Sequence, residues 1–225
     1  MKITKRKGKE KTVYGIVGLG RFGTALAQTL AESGAELIVI DNDEGKVREI
    51  RELTENAYVV QSLDKKSLAE TGIAGCDIAV VCIGEQMDVS ILTTLNLISL
   101  GVGKVISKAR SAEHGEILEK LGAEVVYPEH DMALRLATRL ETSRVLDYMQ
   151  LNEQLNISKL ELPTSLAGKT VVEADLRGSF GLNIVAIEHG GEVSDFIRPD
   201  TLFRAGDVLI VAGSKTGIAK LSELN

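Results

Sequence analysis

Residues 18–23 read Gly-Leu-Gly-Arg-Phe-Gly, a spacing that gives three glycines three separate tasks around an anion. Gly18 permits a tight turn out of the preceding apolar run, and Gly20 lets a pyrophosphate approach the backbone. Gly23 lets the following helix press against the strand it leaves. The N–H groups that open that helix have no intrahelical partner and point toward bound phosphate oxygens. Asp41 ends the next apolar run at the spacing expected of a carboxylate that accepts from ribose hydroxyls. Its charge repels a 2′-phosphate, so NADP is disfavoured. Arg21 sits inside the loop, where a long cation can either reach a phosphate or remain a solvated charge on the first helical turn.

Chemistry on the ligand would need further groups. A hydride-transfer enzyme requires a second domain that holds substrate over the nicotinamide, with an acid or base in it. The histidines are His114, His130 and His189; none lies in a catalytic motif, and the solvated surface is the expectation for all three. No lysine-bearing phosphate loop, nucleophile elbow or paired-carboxylate signature accompanies the glycines. Cys76 and Cys82 flank an apolar run and read as buried thiols rather than a redox pair. The bound nucleotide is thus expected to be a signal, and the chain not an enzyme.

The elements that must position these residues follow from periodicity. Strand-like runs at Val13–Val17, Leu37–Ile40, Tyr58–Val60, Ile78–Cys82, Val105–Ser107 and Glu124–Val126 alternate with amphipathic segments. Those segments are Arg21–Ser33, Glu44–Leu53, Lys65–Thr71, Met87–Leu100 and Ala112–Leu121. Strands apolar on both faces belong in a parallel sheet covered by helices on each side. Gly34, Gly72, Gly101 and Gly122 each follow a helical segment where a left-handed cap is needed. A further helix starts at Pro128 and is expected to run, with a break, to Tyr148. Beyond it the pattern becomes α+β: a strand at Ile157–Leu162, a short helix at Val171–Leu176, a hairpin of Leu182–Glu188 and Val193–Ile197 turning at Gly190-Gly191, a strand at Val208–Ala212 and a closing helix at Lys215–Leu224. The fold class is therefore α/β, a Rossmann-like parallel sheet with helices on both faces, plus a small α+β C-terminal lobe. The expected divisions are a basic tail at 1–11, a nucleotide-binding domain with its crossover helix at 12–142, and the lobe at 143–225.

Composition agrees. With 225 residues, 44% hydrophobic and 26% charged, the chain has material for one full core and a smaller second one. Its apolar runs are strand-length, far short of a bilayer span, and no signal segment opens it. Six cations and one Glu occupy the first eleven residues of a chain whose net charge is −6, so the body is acidic and nucleic acid is not the expected partner. The basic tail reads as a solvated terminus or as a contact for anionic lipid or an acidic partner.

Taken together, Gly-Leu-Gly-Arg-Phe-Gly at 18–23, Ser-Ile-Leu-Thr-Thr-Leu at 90–95, Lys-Leu-Gly-Ala at 120–123 and Tyr-Pro-Glu-His-Asp-Met at 127–132 resemble the cytoplasmic RCK regulators (regulators of potassium conductance) of Ktr and Trk potassium-uptake systems. Val-Val-Glu-Ala-Asp-Leu-Arg followed by Gly-Leu-Asn-Ile-Val-Ala-Ile resembles the smaller C-terminal lobe of that family, so the likeness covers nearly the whole chain. The resemblance implies a dimer hinged on the helix after residue 127, an octameric ring of four such dimers, and an integral-membrane potassium pore subunit above it. The protein would then lie in the cytoplasm, at the inner face of the membrane through that subunit.

The resemblance also implies ligands: ATP and ADP, or NADH and NAD. By position, Gly18, Gly20, Arg21, Phe22, Gly23, Asp41, Asn42, Ser62, Ile83, Gly84 and Lys108 would form the nucleotide site. Glu129 would coordinate magnesium or calcium near the terminal phosphate. In some family members the C-terminal lobe binds cyclic di-AMP, which here would meet Val172, Asp175, Arg177, Asn183 and Ile184. One segment departs from the pattern: Gln61-Ser62-Leu63-Asp64 stands where family members often carry Gly-Asp-Ala-Thr beside the adenine, which leaves ligand choice open. The competing reading is a small NAD-dependent oxidoreductase resembling the short dehydrogenases of sirohaem synthesis. A redox-sensing transcription factor is disfavoured by the lack of a winged-helix segment and a basic recognition helix.

Overall fold

The computed structural model describes residues 11–141, 144–152 and 154–224. The basic tail, except Lys11, and the expected division at 142/143 lie outside the described residues. The chain forms two compact units, one ending at Glu129 and the other comprising His130–Asn225.

The first unit alternates strand and helix as its periodicity requires. In chain order it runs β1 (Val13–Val17), α1 (Arg21–Glu32), β2 (Glu36–Asp41), α2 (Glu44–Ile50), β3 (Ala57–Val59), α3 (Lys65–Glu70), β4 (Ile78–Val81), α4 (Met87–Ser99), β5 (Lys104–Lys108), α5 (Ala112–Lys120) and β6 (Glu124–Val126). The strands form one parallel sheet in the order β3-β2-β1-β4-β5-β6. Because β1 is flanked by β2 on one side and β4 on the other, the chain reverses its direction of travel across the sheet between β1 and β4. That is the topological switch point at which open α/β sheets bind ligands. Two buried clusters hold the unit together. One gathers Val17, Ile40, Leu68, Ile73, Val81 and Leu97, the other Ile16, Leu37, Val39, Val47 and Val80. Neighbouring residues of β1 and of β4 thus serve different clusters, as strands covered on both faces must. Gly34, Gly72, Gly101 and Gly122 all have positive φ, as the left-handed caps require. Cys76 and Cys82 are free and buried, and burial pushes their thiols up to about 11 and about 12.

α6 (Pro128–Glu141) begins at the end of the first unit, and here the expectation of a helix reaching Tyr148 is corrected. Val145–Gln150 is strand β7, antiparallel to β8 (Asn156–Glu161). The physical cause of the difference is a β-bulge. Register shifts between Val145 and Asp147, so Val145 and Tyr148 are both buried although three residues apart. That spacing imitates a helix. Tyr148 also donates its hydroxyl to Asn156 Oδ1 at 2.5 Å, a cross-strand tie that no local pattern reveals.

The second unit continues with α7 (Val171–Ala174), α8 (Leu176–Phe180), β9 (Asn183–His189), β10 (Glu192–Ser194), β11 (Val208–Gly213) and α9 (Lys215–Ser222). Its sheet is antiparallel, ordered β10-β9-β11-β8-β7, over a core that includes Leu160, Leu182, Phe203, Leu209, Val211 and Leu221. The single helix expected at Val171–Leu176 is two. Asp175 has φ 39 and ends α7, and its side chain accepts from Gly178 N–H to start α8.

Candidate nucleotide site

Gly18 has φ +100, a conformation that an L side chain resists. A Cβ at Gly23 would lie 1.9 Å from the Gly18 carbonyl oxygen and 3.1 Å from Cys82 Cβ, so α1 can approach β4 only through glycine. At Gly20 a Cβ would meet nothing within 4 Å. The first and third glycines are thus required by the fold. The second faces open space, as a residue over which a pyrophosphate lies must.

Helix caps sharpen this. α2, α3 and α5 are capped by the side chains of Asp43, Asp64 and Ser111. α1 and α4, which follow the two strands flanking the switch point, begin at Gly20 and Gln86 with no side-chain cap. α1 also has no acidic residue in its first turn. The N–H groups and positive dipole end of a 12-residue helix are therefore left to an external anion. Arg21 is exposed at that end, and Phe22 is half-buried against the neighbouring cluster.

Asp41 is buried at 8% exposure and does more than wait for a ribose. Leu19 N–H donates to its Oδ2 at 2.5 Å and Asp43 N–H to its Oδ1 at 2.8 Å. The carboxylate thereby braces the glycine loop against the end of β2, and its remaining lone pairs stay available to hydroxyls. Asn42, exposed beside it, accepts at its carbonyl from Gln61 Nε2 at 3.0 Å. Within the departing segment, Ser62 Oγ donates to Asp64 Oδ2 at 2.8 Å, and Asp64 accepts from Lys66 and Ser67 N–H. These bonds, that of Ser67 N–H foremost, hold the Asp64 carboxyl down at about 2. The segment is a tied turn in which Ser62 spends its hydroxyl on a helix cap.

Across the switch point, Ile83 and Gly84 follow β4, and Ile83 Cγ1 would stand 3.3 Å from a Cβ at Gly18. Lys108, the last residue of β5, has its Nζ 3.1 Å from where a Cβ at Gly84 would be. It donates to Glu129 Oε1 at 2.5 Å. The Lys108 side chain is 11% exposed and that of Glu129 68%. The Lys108 hydrogen bond is the chief cause that holds the Glu129 carboxyl below its ordinary range. Among the described residues no group of three or more His, Cys, Asp or Glu side chains could enclose a metal ion. A cation at Glu129 would therefore draw its other ligands from phosphate oxygens and water, as magnesium commonly does.

The expectation for His114 is overturned. It is fully buried, its Nδ1 accepting weakly from Arg110 N–H at 3.4 Å and its Nε2 without a partner. Burial first, and the Arg110 charge second, lower its pKa. His130 and His189 do reach the surface. Its helix α5 is amphipathic, and His114 shares the buried face with Gly115 and Leu118 while Ala112 and Glu113 of the same turn are exposed.

In the second unit an open groove of about 450 Å³ is lined by Val171, Val172, Asp175, Asn183, Ile184, Ile197, Arg198 and Pro199. Four of the five residues expected there, Val172, Asp175, Asn183 and Ile184, come together. Arg177 is absent from the lining, and the cation present is Arg198, whose guanidinium also lies 5.2 Å from the Phe196 ring centroid.

A parallel sheet whose switch point carries an uncapped, glycine-opened helix beside a buried carboxylate defines a Rossmann-type fold. Comparison with known proteins narrows the class. The TrkA-N domain matches residues 14–128 and the TrkA-C domain residues 158–225. The chain is 38% identical over 214 residues to Ktr system potassium uptake protein C of Bacillus subtilis, covering 95% of this chain and 97% of that one. It is 30% identical over 213 residues to Ktr system potassium uptake protein A of Vibrio alginolyticus, covering 94% and 97%. Among solved structures, the GsuK RCK domain superposes with a TM-score of 0.66 at 21% identity, over 97% of this chain and 49% of that one. The GsuK channel bound to NAD superposes with a TM-score of 0.63 at 21% identity, over 97% and 40%. This chain thus spans about half or less of the length of those solved chains, and they share its fold. The chain belongs to the TrkA-N/TrkA-C family of RCK proteins, whose members include the Ktr potassium-uptake proteins.

Proposed function

We propose that this chain is the cytoplasmic, nucleotide-sensing regulatory subunit of a Ktr-type potassium transporter or channel, and that it gates the integral-membrane pore subunit without turning its ligand over. The observation that carries the reading is the start of α1. Gly20 opens onto free space, no side chain caps the helix, and Asp41 braces the loop beside it. Gly18, Gly20, Arg21 and Lys108 receive the phosphates, and Asp41 the ribose, of ATP, ADP, NAD or NADH. Glu129 supplies a carboxylate for magnesium or calcium beside the terminal phosphate. Among the described residues no helix is long and apolar enough to cross a membrane, so contact with the bilayer is assigned to the pore subunit.

Gating follows from linkage. A ligand shifts the pore only by its difference in affinity for the two conformations of the ring. The ring is built from dimers joined through α6, whose Met132, Leu134, Leu136 and Leu140 are exposed, and four dimers make an octamer. Calorimetry of the purified protein against ATP, ADP, NAD and NADH, with and without magnesium, tests the site. Saturable heat without consumption of the ligand supports a sensor. Turnover of NAD with a reductant would instead support the oxidoreductase reading.

A second ligand is favoured by the groove of the second unit. Apolar walls from Val172 and Ile184, the Asn183 amide and the Arg198 guanidinium suit a purine and a phosphate. A two-fold pair of such grooves suits a symmetric dinucleotide such as cyclic di-AMP.

A further inference from the structure

Lys108 is nearly buried at the end of β5, its ammonium lying over the Gly84 backbone and donating to Glu129 at 2.5 Å. The partner is unequal. Glu129 is the second residue of α6 and is largely exposed, so its carboxylate can leave toward water, whereas Lys108 is held by the sheet. A Cβ at residue 84 would stand 3.1 Å from that ammonium, so glycine there leaves it room. Its charge is therefore already answered from within the chain before any ligand arrives.

We propose that the Lys108–Glu129 ion pair is a latch that competes with the phosphate of an incoming nucleotide. The proposal rests on the nucleotide reading above and adds regulation to it. The ammonium has three donors, but a phosphate that takes one comes beside the Glu129 carboxylate, and the repulsion between the two anions drives the exposed carboxylate away. Displacement releases Glu129 beside the phosphate, where a divalent cation relieves the repulsion by bridging the two. The latch therefore makes anion binding and cation binding depend on each other. It penalises a nucleotide that arrives without metal. It also ties occupancy of the site to a change at the first turn of α6. The cause is local, since Lys108 and Glu129 both belong to the first unit.

The test is calorimetry of the full-length protein with ADP in excess chelator and again with magnesium, comparing wild type with Glu129→Gln and Glu129→Asp. Both substitutions fall on an exposed first-turn position and leave the fold intact by circular dichroism. Glutamine removes the charge. Aspartate keeps the charge but shortens the reach by one methylene, so it too releases Lys108. The latch predicts metal-free ADP binding about 3- to 10-fold tighter in both variants than in wild type. It also predicts that magnesium improves binding less in the glutamine variant than in wild type. Tightening in the glutamine variant alone would mean simple repulsion by a free carboxylate and overturns the latch, as does unchanged affinity in both. If no form binds ADP, ATP or NAD, the nucleotide reading itself falls and the latch falls with it.

Discussion

The carbonyl oxygen of Gly18 lies 1.9 Å from the position a Cβ would take at Gly23, so the two glycines meet backbone to backbone, while a Cβ at Gly20 between them would meet nothing within 4 Å. Their substitutions should therefore separate. Gly23→Ala forces the loop apart and is expected to destabilise the protein by about 1–3 kcal/mol or more, read as a lowered urea midpoint. Gly20→Ala should leave stability within about 1 kcal/mol and weaken adenine-nucleotide binding. Equal binding by Gly20→Ala and wild type would remove the pyrophosphate from this loop.

Asp41→Ala should weaken adenine-nucleotide binding by about 1–3 kcal/mol, through loss of a charged acceptor. Because Leu19 and Asp43 N–H groups both donate to that carboxylate, Asp41→Asn is expected to be damaging as well. Its amide must turn an NH2 group toward one of two backbone donors. Calorimetry and a melting curve on both variants check this. Wild-type affinity in Asp41→Ala would show that no ribose lies across the switch point.

His114 gives the first unit a pH dependence. Burial and the Arg110 charge lower its pKa in the folded chain, while the unfolded chain regains the ordinary value of 6.5. Between those values the unfolded state binds the extra proton, so stability is complete above 6.5 and is lost as pH falls through that value toward the depressed one. His114→Asn removes the titration, and its side-chain oxygen can still accept from Arg110 N–H. The melting temperature of wild type should fall further than that of His114→Asn when pH drops from about 7.5 to about 5.5. Parallel falls in the two proteins would count against the buried imidazole.

Met132, Leu136 and Leu140 recur every four residues on α6 and are exposed, Leu140 to 77%. Such a stripe is expected to be covered by another copy of the chain. Light scattering at micromolar concentration should give a dimer or larger, and Leu136→Glu with Leu140→Glu should reduce the assembly without loss of circular-dichroism signal. A monomeric wild type would exclude the octameric ring.

In the second unit, cyclic di-AMP is expected to bind the full-length chain at one ligand per two copies. Arg198→Ala should weaken it by about tenfold or more, and Arg177→Ala should change it little, since Arg198 lines the groove and Arg177 does not. Titration that finds no heat at high micromolar ligand, or the reverse order of the two arginines, would remove this site as drawn.

Much of this is legible in the sequence alone. The glycine loop, Asp41 and the strand–helix alternation declare themselves through local rules, because apolar runs, glycine caps and turn residues are each read within a few positions of chain. What stayed hidden depends on distant partners. β7 was concealed by its bulge, which buried Val145 and Tyr148 at a helical interval. The split at Asp175 had only one local signal, an Asp three residues before Gly178 whose carboxylate could cap a new helix. Arg198 reaches the groove through a loop with no periodicity, and the Lys108–Glu129 pair joins residues 21 apart in sequence. His114 shows the opposite difficulty: its helix is plain in the sequence, but the face of that helix on which it is buried is not.

The unfinished start of α1 has one more consequence. A helix left without a cap forgoes about 1 kcal/mol, and an anion that binds the folded chain alone adds stability that grows with its concentration. A ligand at a hundred times its dissociation constant raises the unfolding free energy by about 2.7 kcal/mol. Under the proposed function the melting temperature of this protein is thus a readout of its own signal. A panel of unlabelled metabolites can be ranked by how far each shifts it, without a pore, a membrane or a flux assay.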